Sequence, residues 1–168
     1  MKNQRGLILI ELIAVIILVG VLATFTGFFL YTGFTGYLNT KNITEGALNA
    51  QMALDRITLE LRDLNYFTSL VQDSSLTYTS EVLDGTRVLK YDSVNNAIEI
   101  SINDTDYTLL ENVPASDFKL SKQPRDLNYD GADEVAYFEV AFRVGLDENR
   151  IGREFRTKIF PRHMVQDK

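Results

Sequence analysis

Two places in this chain put carboxylates where chemistry could use them. The first is Asp126-Leu127-Asn128-Tyr129-Asp130-Gly131-Ala132-Asp133-Glu134. Oxygen-bearing side chains at alternate positions, followed by Gly131, match the first half of a calcium loop. Hard oxygen ligands would surround the ion, and the glycine would permit the sharp turn. The match then stops, because the position for the closing bidentate carboxylate holds Tyr137. Asp133 or Glu134 would have to close a shorter loop. A calcium set would therefore comprise Asp126, Asn128, Asp130, Asp133 and Glu134, and no other cofactor is indicated. The same residues read equally as a polar hairpin loop turning at Tyr129-Asp130-Gly131-Ala132. The second place is Glu11. It is a lone carboxylate in an apolar run reaching Tyr31, with no further charge until Lys41. A carboxylate in hydrocarbon costs on the order of 2.5–3.5 kcal/mol. It either snorkels to the headgroups or answers a cation.

Other chemistries lack their residues. With no cysteine there are no disulfides, thiolate metal sites or thiol nucleophiles, and the single His163 has no relay or metal cluster to join. Asp104 and Asp106 flank a hairpin turn and read as solvated rather than as a catalytic pair. A net charge of -6 without a basic stripe disfavours nucleic acid. No enzyme is expected.

The elements that would carry these residues follow from spacing. The apolar run is flanked by Lys2 and Arg5 at its N-terminal end. It is long enough to cross a bilayer, since about 20 residues at ~1.5 Å each span the ~30 Å core. The flanking cations would keep that end cytoplasmic. Beyond it Ile43, Ala47, Ala50, Leu54, Ile57, Leu61 and Leu64 recur in steps of four and three, the stripe of an amphipathic helix. Glu45, Asp55, Arg56 and Glu60 fall off that stripe, and Arg56 can pair with Glu60 one turn on. After Phe67 the pattern becomes extended: Leu76 to Val82, Arg87 to Tyr91, and Ala97 to Ile102. A turn at Asn103-Asp104 leads to Thr105 to Leu110, then Phe118 to Leu120 and Glu134 to Val144. Gly145 to Asn149 turns the chain into Arg153 to Phe160. The expected class is α+β, a long N-terminal helix packed on an antiparallel β-sheet.

Glu11 lies four residues beyond Leu7, and Leu7 follows Gly6 and a short basic stretch. This pattern resembles the processing site of type IV pilins and type II secretion pseudopilins. Leu12, Ile13, Val15, Ile16, Gly20 and Ala23 fit the family's apolar segment. The stretch Met52 to Arg62 and the order of strands after it are similar to J-type pseudopilins and W-type minor pilins. Leu7 stands where Phe is usual, and Phe28 where many major pilins carry a kinking proline. The absence of cysteine also excludes the C-terminal disulfide loop of many major pilins.

The resemblance implies cleavage by prepilin peptidase between Gly6 and Leu7 and N-methylation of Leu7. Glu11 would serve assembly by pairing with a neighbour's new amine. It implies a leader over 1–6, a membrane and filament-core helix over 7–35, its amphipathic continuation over 36–67, and a periplasmic sheet domain over 68–168. The expected partners are other pilin or pseudopilin subunits, the peptidase, an inner-membrane assembly platform, and lipid before assembly. The expected location is the inner membrane, then a periplasmic or surface filament. Some pseudopilins bind calcium, but at a site that does not map onto these residues. The alternative is a periplasmic binding domain released by ordinary signal cleavage after Ala23, or held by an uncleaved anchor.

Overall fold

The computed structural model describes residues 4–80, 83–131, 133–145, 152–163 and 165, with side chains described from Leu9 onward. The chain divides into two compact units, Met1–Asn42 and Ile43–Lys168.

The first unit is helical from Gln4, within the helix α1 (Gln4–Arg62). It is long and apolar enough to cross a membrane, and none of its most apolar window is buried. Large side chains from Leu9 through Phe34 are exposed along it. Four of its threonine hydroxyls are satisfied internally. The hydroxyls of Thr24, Thr26, Thr35 and Thr40 each donate to the carbonyl four residues back, at 2.9 Å. This is how a threonine is accommodated in an apolar helix.

The second unit is α+β, with a helix packed against antiparallel sheet. The part of α1 from Ile43 to Arg62 buries Ala50, Ala53, Leu54, Ile57 and Leu61 in one core with the strands. A five-stranded sheet follows in the order β1 (Leu64–Val71), β2 (Ser75–Ser80), β3 (Thr86–Asp92), β4 (Ala97–Ile102) and β5 (Thr105–Leu110). A 3-10 turn at Ala115–Asp117 leads to a second, three-stranded sheet of β6 (Lys119–Arg125), β7 (Glu134–Gly145) and β8 (Gly152–Ile159). All neighbouring strands are antiparallel.

The expected single sheet is thus two sheets. The break falls at Pro114, which cannot donate to a ladder and opens the 3-10 turn. The amphipathic helix also ends earlier than the expected 67, at Arg62, and Leu64 to Val71 is a strand. The reason lies in β1 itself. Its ladder carries register shifts between Leu64 and Tyr66 and between Phe67 and Ser69. These bulges put buried Leu64 and Phe67 three residues apart, a spacing that imitates a helix. Ile43, expected on the buried stripe, is exposed, so the stripe begins at Ala47.

Elsewhere alternation predicts the faces. Phe138, Val140 and Phe142 of β7 and Phe155 and Ile159 of β8 are buried. Asn103 and Asp104 turn between β4 and β5 with φ of 49° and 65°. Strand β4 is buried on both faces, Glu99 and Ser101 included, and lies between β3 and β5. Val82 and the turn residues 146–149 lie outside the described residues.

Candidate functional site

Glu11 sits within α1 and is exposed, as are Leu9, Ile10, Leu12 and Ile13 around it. Nothing in the unit pairs its carboxylate or covers the surrounding apolar surface, among the described residues. Gly6 and Leu7 lie in the same helix, and their side-chain surroundings fall outside the described residues.

The acidic loop between β6 and β7 is built by backbone donors. Asp126 accepts from Tyr129 N at 2.6 Å and from Gly131 N at 3.2 Å. Asn128 accepts from Asp130 N at 3.0 Å and donates to Asp130 Oδ2 at 2.9 Å. Tyr129 and Gly131 take positive φ, 63° and 89°, as the tight turn requires. Glu134 is buried and turned to Leu127 N at 2.8 Å, while Asp133 is exposed. The loop therefore spends oxygens of Asp126, Asn128 and Glu134 on its own N–H groups. Among the described residues no group of three or more acidic, His or Cys side chains is placed to hold a metal ion.

Sequence reading missed the most deeply buried ionic group. It placed Glu60 off the helix stripe, paired only with Arg56. Glu60 does meet Arg56 at 2.5 Å, but it is 3% exposed and also meets buried Arg87 of β3. The Tyr78 hydroxyl of β2 donates to the same carboxylate at 3.2 Å. Tyr78 and Arg87 are direct cross-strand partners, which aims both at Glu60. Burial first, and then the Glu60 charge, push the Tyr78 phenol far above its ordinary range. The Arg87 Nε stays buried without a hydrogen-bond partner. A signal for this cluster did exist: along β3, Arg87 shares its parity with the inward-facing Leu89 and Tyr91.

Asp106, expected to be merely solvated, pairs with Lys90 at 2.7 Å. Hydrogen bonding to Asp106 raises the Lys90 ammonium above its usual value, and Lys90 in turn lowers the Asp106 carboxyl. Lys90 also reaches Glu99 at 3.5 Å, so one lysine on β3 ties β4 and β5 together. Asp104 remains a turn residue.

The two ionic groups lie within the fold and join strands to helix or strand to strand. Glu11, by contrast, stands in a surface that the chain by itself leaves uncovered. Comparison with known protein families, with curated proteins and with solved structures returns no match.

Proposed function

We propose that this chain is a pilin-like structural subunit, a minor pilin or pseudopilin. On this reading it is made as an inner-membrane precursor, cut by prepilin peptidase between Gly6 and Leu7, and N-methylated at Leu7. It then joins a filament of a type IV pilus or a type II secretion system. The observation that carries the reading is Glu11: one carboxylate, four residues past Leu7, on a helix whose apolar side chains are exposed from Leu9 to Phe34. A surface of that size is stable only in lipid or against other apolar helices. In lipid the helix is a single-pass anchor. Against other helices it is a filament core, and Glu11 then has a cation to meet, the new amine of a neighbouring Leu7.

The pairing would set axial register more than it adds net stability, because taking two charges out of water offsets most of their attraction. Removing one partner is a different matter, since it leaves the other charge buried and unpaired. The β-sheet unit would then be carried on the outside or at the tip of the filament.

Intact mass of the protein extracted from membranes tests the processing step. The expected chain begins at N-methylated Leu7. A chain that begins at Thr24, or one that retains Met1, contradicts the reading.

A further inference from the structure

An open cleft of about 650 Å³ lies at the loop end of the three-stranded sheet. The end of β6, the start of β7 and the segment after β8 enclose it. Its size is that of a ligand or peptide site. Three features set it apart from the rest of the surface.

The first is charge. Arg125 and Arg162 line the cleft, and no Asp or Glu does, in a chain with 23 acidic residues against 17 basic. The second is an apolar wall beside the cations. Phe160 is 61% exposed, Leu127 is 38% exposed, and the Phe160 and Tyr137 rings lie 5.6 Å apart. Arginine and aromatic side chains together are the composition of interface anchors. The third is rigidity. Arg162 N donates to Arg62 O at 2.9 Å, and its guanidinium meets Asp63 at 2.8 Å. Val135 N donates to Val165 O at 2.8 Å, so the segment after β8 is strapped down on both sides of His163. The Asp63 contact engages one terminal nitrogen of Arg162 and leaves further donors of the fork for a ligand.

We propose that this cleft binds an acidic peptide segment of a partner protein. Its carboxylate is received by Arg125 and Arg162, and a neighbouring apolar side chain lies against Phe160 and Leu127. Charge complementarity selects a carboxylate. The overall charge of -6 repels a polyanion such as nucleic acid at long range, whereas a single carboxylate meets only the local cations. The makeup of the cleft selects a peptide: two guanidiniums stand beside an exposed aromatic wall, which matches a carboxylate and an apolar side chain neighbouring each other on one chain. This site does not depend on the filament reading.

The test is a random nine-residue peptide library panned against the full chain in lipid nanodiscs. The expected enrichment is for Asp or Glu next to Phe, Tyr or Leu. The best peptide should bind Arg125→Glu at least about tenfold more weakly, and its Asp→Asn or Glu→Gln version should lose affinity similarly. Should Arg125→Glu fail to fold, Phe160→Ser at the exposed ring gives the same comparison. Enriched peptides without acidic residues, no enrichment, or unchanged affinity for the cleft variants overturn the proposal. So does full displacement by millimolar inorganic phosphate, which would make the cleft a simple anion site.

Discussion

Arg87 Nη1 donates to both carboxylate oxygens of Glu60, at 2.9 and 3.1 Å, and so joins strand β3 to the last turns of α1. Both side chains are out of water, at 7% and 1% exposure. Such a pair adds little net stability, yet it punishes the loss of one member severely.

Glu60→Ala should therefore destabilise the folded unit by about 3–5 kcal/mol, because it strands the Arg87 charge. Replacing the whole cluster with Glu60→Leu, Arg87→Met and Tyr78→Phe together should recover most of that loss. Urea midpoints of the full chain in micelles check this. If the triple variant is no more stable than Glu60→Ala, the cost arises from packing and not from a stranded charge.

Alkaline pH provides a second test at the same place. Below about pH 10 both folded and unfolded chains keep the Tyr78 proton, so its contribution is constant. Above that, the unfolded chain releases it while the folded one holds it, since the folded phenol is raised by burial and by Glu60. Stability should fall as pH rises, by up to ~1.4 kcal/mol per pH unit for this group. Tyr91, also raised by burial, adds to the same decline. In Tyr78→Phe the slope should be shallower by about one proton. Unfolding curves between pH 9 and 11 measure it, and identical slopes would remove Tyr78 from the account.

Gly85 holds φ of +97°, and a Cβ there would run into the Asn103 side chain across the end of the sheet. Gly85→Ala should cost about 1–3 kcal/mol through backbone strain and the clash together. Adding Asn103→Gly relieves the clash but leaves the strain, so recovery in melting temperature should be partial. Full recovery would mean that φ at Gly85 carries no cost.

In the loop after β6, Asp126 is the organiser. Asp126→Ala should lower stability by roughly 0.5–1.5 kcal/mol, because two N–H groups lose their acceptor. Melting in millimolar calcium and in chelator should coincide, since Asp126, Asn128 and Glu134 already accept from N–H groups within the turn. A higher melting temperature in calcium, abolished by Asp130→Ala, would instead assign the loop as a calcium site.

Local features were legible where one residue type has one physical use. Asn103-Asp104 reads as a turn because both residues tolerate positive φ, and both adopt it. The β7 alternation reads as a half-buried strand, and Phe138, Val140 and Phe142 of its apolar set are buried, though Val135 and Ala141 of the other set are buried too. The end of α1 was not legible, because the bulges of β1 give Leu64 and Phe67 a helical spacing. Nor was the division into two sheets: alternation tells which face a residue takes but not which strand lies beside it. Glu60 was misplaced for a related reason. Its partner Arg87 is 27 residues away, and only the Tyr78–Arg87 register brings them together. For Glu11 the sequence motif remains the whole of the functional signal, since the proposed contact would need a neighbouring subunit.

The central claim is therefore tested most directly at Glu11, by expressing Glu11→Leu together with its assembly system. Cleavage and recovery of the variant in sheared or cross-linked filaments are measured side by side. A snorkelling residue in a simple anchor could be replaced without harm, and removing its charge would ease insertion. A register-setting residue could not, because the neighbouring amine would be buried alone at a cost of several kcal/mol. The account predicts normal cleavage after Gly6 with strongly reduced recovery in filaments, and an intermediate recovery for Glu11→Asp. Normal cleavage with wild-type recovery of Glu11→Leu in filaments would contradict it.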